Sequence, residues 1–166
     1  MSPADGTLSE NANGELVVRF ERIVPRPVAK VWAALTDPKI LSNWLGKVEI
    51  EPRVGGKFVL AFHGSSTVMT GAITAIEPPR VLEHTWLENT VSVPQSLVRW
   101  ELSAAGGDCR LVLTHRFPKG CAAKDILSFL GGWEALLDVL AEASDGTAMP
   151  YKPWEPLDAL YRAKYP

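Results

Sequence analysis

Between Lys47 and Pro118 the chain alternates short apolar-and-polar segments with turn residues, and this run limits the possible folds more than any other feature of the sequence. The segments are KVEIEP, GKFVLAFHG, STVMTGAITAIE, RVLEHTWLE, SLVRWELSA and CRLVLTHRF. They read as strands whose side chains point alternately to a core and to water. Gly55-Gly56, Gly64-Ser65, Pro78-Pro79, Pro94 and Gly106-Gly107 separate them with residues that supply turn dihedrals. Connections this short predict an antiparallel meander of about six strands. A sheet of that kind has an apolar face that needs a cover.

The rest of the chain offers that cover. LVVRFERIV adds one more strand, with Leu16, Val18 and Phe20 on one face and Arg19 and Glu21 on the other. Pro27 suits a first helical position, and Val28, Val31, Trp32 and Leu35 follow at helical spacing. Asp37 with Pro38 restarts the pattern as cap and first helical residue, and Ile40, Leu41, Trp44 and Leu45 form a second apolar face. Ala122 to Ala143 reads as one long helix carrying Ile126, Phe129, Leu130, Trp133, Leu136, Leu137 and Leu140, ended by Asp145-Gly146. The final stretch, MPYKPWEPLDALYRAKYP, predicts a short helix from about Pro156 to Lys164 that packs on the body or on a second subunit. One long helix across a curved sheet leaves a gap at its ends, and the two short helices would close one side of the resulting cavity.

At 166 residues the chain has the usual size of one domain, and 46% hydrophobic with 22% charged residues is an ordinary globular composition. The predicted division is a polar, frayed tail over 1–14, a domain over 15–145 and a C-terminal extension over 146–166. A net charge of -2 excludes a general affinity for nucleic acid, which needs a basic surface. No apolar run approaches the roughly 20 residues of a membrane span, and no basic-then-apolar leader is present, so the expectation is a cytoplasmic protein. Cys109 and Cys121 show neither CxxC spacing nor a neighbouring histidine pair, so no disulfide framework or metal site is expected. Cys121, near the start of the long helix, is a candidate for a thiolate favoured by the helix dipole.

VWAALTDPKILSNWL, RVGGKF, GAITAIEPPRVLEHTW, LVLTH and GGWEALLDVLAE, in that order, resemble the START-like (SRPBCC) superfamily, and within it the group related to the C-terminal domain of the activator of Hsp90 ATPase. The resemblance spans about Leu16 to Ala143. It implies an α+β helix-grip fold, a curved antiparallel sheet wrapped around a long C-terminal helix with a hydrophobic cavity between them. Superfamily members bind lipids, sterols, polyketides or plant hormones, and some are enzymes. The eukaryotic activator has an additional N-terminal domain where this chain has a short polar segment.

On RVLEHTWLE, His84 and Trp86 share the apolar face with Leu82; on CRLVLTHRF, His115 does so with Leu111, Leu113 and Phe117. Either histidine could bond a ligand or move a proton, or be a core histidine satisfied by a neighbour. His63 reads as a solvated turn residue. Trp44, Trp86, Trp100 and Trp133 lie on apolar faces as pocket or core, and Phe62, Phe129 and Leu130 complete the candidate ligand-binding set. Gly131-Gly132 costs roughly 2 kcal/mol relative to alanine inside a helix. These glycines either let the helix pass close to the sheet or leave room for a ligand, or else mark a bend or an ordinary packing need. HGSSTV lacks the G-x-S-x-G frame, and RVGGKF lacks the spacing of a phosphate loop.

The leading expectation is therefore a binder of a small hydrophobic or aromatic ligand, oriented by His84 or His115, with no cofactor and a homodimer possible. A cyclase- or hydrolase-type enzyme with an inward histidine as acid or base is one alternative. A module that docks on a protein partner such as a chaperone is another, and it would have a filled interior.

Overall fold

Two strands precede the first helices and six follow them. β1 (Thr7–Glu10) and β2 (Leu16–Val24) lead into α1 (Val28–Thr36) and α2 (Pro38–Leu41). The meander then runs through β3 (Gly46–Ile50), β4 (Lys57–Phe62), β5 (Val68–Glu77), β6 (Val81–Glu88), β7 (Ser96–Ala105) and β8 (Asp108–Phe117). α3 (Ala123–Leu137), α4 (Leu140–Ser144) and α5 (Glu155–Lys164) complete the chain. The computed structural model describes residues 4–148 and 153–166. Residues 149–152, part of the expected C-terminal extension, and 1–3 of the expected tail lie outside the described residues.

All pairings are antiparallel, in one curved eight-stranded sheet of order β1-β2-β8-β7-β6-β5-β4-β3. The helix-grip expectation is met: the sheet's inner face carries Phe20, Leu60, Leu82, Leu111, Leu113 and Phe117, each at most 1% exposed, and α3 covers it with Ile126, Leu130 and Trp133. Each such side chain contributes about 1.5–3 kcal/mol by leaving water. β2 pairs with β8 rather than with a sequence neighbour, so the first long strand closes against the last.

Asp37 caps α2 as its type suggests, its Oδ1 accepting the Lys39 backbone N–H at 2.9 Å. Pro27 stands one residue earlier than expected, as the extended residue before α1, with φ -62° and ψ 151°. The Trp44 indole N–H donates to the Ala34 carbonyl at 3.0 Å and ties the turn after α2 back to α1.

Three expectations change. Residues 7–10 are not frayed: β1 pairs with β2 in the register Thr7↔Arg19. Its anchors are remote in sequence, because Gly6 N–H donates to the Tyr161 hydroxyl at 2.8 Å and Leu8 N–H to the Tyr165 hydroxyl at 3.1 Å. The long helix does not run from Ala122 to Ala143 unbroken: α3 stops at Leu137 and α4 starts at Leu140. Asp138 at the break accepts from the Arg22 guanidinium at 2.6 Å, which also holds Asp5 at 2.8 Å. A buried Arg22 on the inner face of β2 needs both carboxylates, and the helix end supplies one of them. α4 then turns away to pack on α1.

The third change concerns the glycines. Gly131 lets α3 approach α5, not the sheet: a Cβ there would lie 2.9 Å from the Asp158 nitrogen and 3.2 Å from the Trp154 carbonyl oxygen. A Cβ on Gly132 would meet nothing within 4 Å. Two adjacent helical positions thus face α5 and open space.

Candidate functional site

The end of the sheet made by β4, β5 and β6 is not filled by α3. A cleft of about 640 Å³ lies there, open on one side to solvent. Phe62 and Trp86 form the sheet wall; Phe129, Gly132, Trp133 and Leu136 form the helix wall; Trp154 and Glu155 border it at the start of α5. The rings touch one another: Trp86 and Trp133 centroids are 5.1 Å apart and Phe62 and Trp86 centroids 6.0 Å apart. α3 positions its share because Phe129, Gly132, Trp133 and Leu136 fall at helical spacing on one face.

The candidates separate into two groups. Phe62, Trp86, Phe129 and Trp133 line the cleft. Trp44, His84, Trp100, His115 and Leu130 are not among its lining residues, and all are at most 3% exposed. Trp44 meets Trp100 edge-on at 6.3 Å, and Trp100 meets Trp133 edge-on at 5.4 Å, so these rings are core behind the cleft wall.

His115 has both ring nitrogens engaged. The Trp133 indole N–H donates to Nδ1 at 3.1 Å, so Nδ1 carries no proton, and Nε2 lies 2.7 Å from the Ser96 hydroxyl oxygen. Ser96 donates onward to the Trp86 carbonyl at 3.3 Å, which leaves its oxygen to accept the Nε2 proton. Burial holds the His115 pKa well below the usual histidine value, and nearby His84 lowers it further. The ring is a neutral brace that orients the Trp133 indole.

His84 stacks on Phe58 with centroids 4.4 Å apart and directs Nδ1 at the Thr85 carbonyl, 3.1 Å away. Burial lowers its pKa to about 4, against weaker opposing effects of the Thr85 carbonyl and Glu83. Both inward histidines are at most 1% exposed, and neither is among the residues that line the cleft. Parity of the strands predicts the inward direction but not how far along the sheet each residue stands from the open end.

The thiols are not activated. Burial pushes Cys109 up to about 11, and Cys121 is also raised, by partial burial and by Asp125, the opposite of a dipole-favoured thiolate. Among the described residues, no three His, Cys, Asp or Glu side chains gather as a metal site.

The sequence reading misses the polar side of the cleft. Glu88 follows His84 and Trp86 on the same face of β6, and its Oε2 accepts the Trp86 indole N–H at 3.0 Å. Partial burial raises its pKa, with the Trp86 bond acting in the opposite direction. Extending the RVLEHTWLE alternation by one step would have found it. His63 also borders the cleft, and its Nε2 donates to the Ser42 carbonyl at 2.6 Å, which ties the rim to the end of α2. Thr67, Thr90 and Ser128 add hydroxyls.

Comparisons with known proteins agree with this architecture. CalU16 from Micromonospora echinospora is similar at 26% identity and a TM-score of 0.69, with 95% of each chain covered. The protein encoded by gene BPP1335 of Bordetella parapertussis is similar at 32% identity and a TM-score of 0.68, covering 99% of this chain and 93% of that one. DynU16, a protein of the dynemicin biosynthetic locus, is similar at 26% identity and a TM-score of 0.72 over 80% of this chain and 48% of its own. No curated protein matches. Residues 25–145 match the family described as "Activator of Hsp90 ATPase homolog 1-like protein". That span takes in the α1–α2 cover, the whole meander and α3 with α4, so the chain belongs to this family, on an SRPBCC-type helix-grip fold.

Proposed function

We propose that the protein binds a small apolar molecule with an aromatic part in the cleft between the β4–β6 end of the sheet and α3. One observation carries the reading: a cleft of about 640 Å³ is walled by Phe62, Trp86, Phe129, Trp133 and Trp154, with hydroxyls, His63 and the Glu88 and Glu155 carboxylates among its other lining groups. Ligand sites generally have volumes of about 300–1,000 Å³ and apolar walls with sparse polar contacts. The similarity to DynU16, from a biosynthetic locus, also favours a small-molecule occupant. The occupant would lie against the Trp86 and Trp133 rings, whose positions are fixed by the Glu88 and His115 bonds.

Gly132 gives a direct test, because it lines the cleft and a Cβ there would meet nothing within 4 Å beyond its own stretch of helix. Titration with the neutral dye N-phenyl-1-naphthylamine is expected to raise its fluorescence with the native protein. Gly132→Leu, which fills the cleft from the helix side, should abolish the rise while leaving the thermal midpoint near the native value. An unchanged dye signal in that variant would place binding elsewhere and remove the proposal.

A further inference from the structure

The charge of the cleft is one-sided. Glu88 and Glu155 are its carboxylates, and among the described residues lining it there is no lysine or arginine. Glu88 lies half-buried beside Trp86, and its one hydrogen bond among the described residues comes from the neutral Trp86 indole. Elsewhere, Asp5 and Asp138 hold Arg22 and Glu83 holds Arg99 at 3.1 Å, while the buried Glu134 is satisfied by two neutral donors, the Ala4 N–H and the Tyr161 hydroxyl. Among the described residues, Glu88 has neither a cationic partner nor a second donor.

The surroundings suit a positive charge. Indole and phenyl faces attract cations through their ring quadrupole, and the attraction grows when water is excluded. Trp86, bonded to the Glu88 carboxylate, and Trp133 and Phe62 beside it line the same cleft, and His63 is the single imidazole at the rim. We propose that the ligand of this cleft carries a protonated amine on its apolar or aromatic body, with the Glu88 carboxylate as counter-ion and the Trp86–Trp133 wall receiving the body. The inference rests on the small-molecule reading above and narrows it to a chemical class. An anionic ligand, such as a fatty acid or an aryl carboxylate, would face two carboxylates with no lysine or arginine of the described wall to offset them. Burial already pushes the Glu88 carboxyl toward its protonated form, and an approaching ammonium would reverse that.

The test uses three probes of the same shape and different charge: 1-naphthylmethylamine, 1-naphthylmethanol and 1-naphthoate, titrated at pH 7.5 by calorimetry. The indole N–H resonances of Trp86 and Trp133 report whether each binds in the cleft. The amine is expected to bind about tenfold more tightly than the alcohol, and the naphthoate more weakly than both. Glu88→Gln keeps an oxygen for the Trp86 indole and should reduce the amine to the affinity of the alcohol. Equal amine and alcohol affinities in the native protein, tighter naphthoate, or a preference that survives Glu88→Gln would overturn the cationic assignment while leaving the cleft as a binding site. Failure of all three probes to bind or to move the indole resonances would remove the small-molecule reading, and the cationic class with it.

Discussion

The space between sheet and helix has two ends built from the same residue types with opposite outcomes. At the closed end, Trp44, Trp100 and Leu130 are each at most 3% exposed, and Trp44 is bonded to Ala34 of α1. At the open end, Phe62, Trp86, Phe129 and Trp133 meet a cleft of about 640 Å³. Trp133 belongs to both, since it meets Trp100 at 5.4 Å in a T-shaped contact and also lines the cleft. An inward aromatic is therefore core or site according to what lies across from it. Strand parity sets the direction of the side chain; the position of a distant helix sets its role.

The strongest way to break this distinction is truncation at each end. Trp100→Ala should cost roughly 3–5 kcal/mol, because the packed closed end collapses poorly around the space left. Phe129→Ala, partly exposed at the cleft, should cost roughly 1–2 kcal/mol. Urea denaturation midpoints measure both. Equal losses would mean that the open end is core as much as the closed end.

Acid should act on the closed end next. His84 is neutral in the folded protein, with its pKa lowered from 6.5 to about 4, and His115 is lowered as well. Between those values the unfolded chain binds protons that the folded chain refuses, so stability is full above pH ~6.5 and falls as pH drops toward ~4. For His84 alone the full loss is on the order of 3 kcal/mol. His84→Phe removes the titrating ring and keeps an aromatic against Phe58. Its denaturation midpoint should fall less steeply between pH 6.5 and 4 than that of the native protein. A slope identical to the native one would show that His84 is hydrated and free to protonate in the folded state.

Much of the fold is written locally. Asp37-Pro38, the Gly106-Gly107 turn and the alternation of CRLVLTHRF each state their structure within a few residues, and the six strands of the meander follow. What is not local is not legible. β1 depends on Tyr161 and Tyr165, some 155 positions away, and the break after Leu137 depends on Arg22 reaching Asp138. Four of the cleft residues were recognisable as inward aromatics, Phe62, Trp86, Phe129 and Trp133. His84 and His115 pass the same parity test and are core, because hydrogen-bond partners such as Ser96 and Trp133 come from elements that sequence order does not bring together. Glu88 was missed for the opposite reason: a charged residue at a strand end reads as solvated, and only the cleft makes its inward direction matter.

The smallest expected effect sets the two faces of α3 against each other. Gly131 and Gly132 carry the same propensity penalty, and replacing either by alanine should gain about 1 kcal/mol if helix propensity alone decided. Gly132→Ala should realise that gain, since its Cβ would meet nothing within 4 Å. Gly131→Ala should lose stability instead, because a Cβ 2.9 Å from the Asp158 nitrogen forces α5 off α3, and with it the Tyr161 hydroxyl that bonds Glu134 at 2.6 Å. Thermal unfolding of the two variants gives the comparison directly. If both rise, α5 is a loose appendage that moves aside without cost. If Gly132→Ala falls, the glycine serves the backbone and not the cleft, and the space beside it is a by-product of packing.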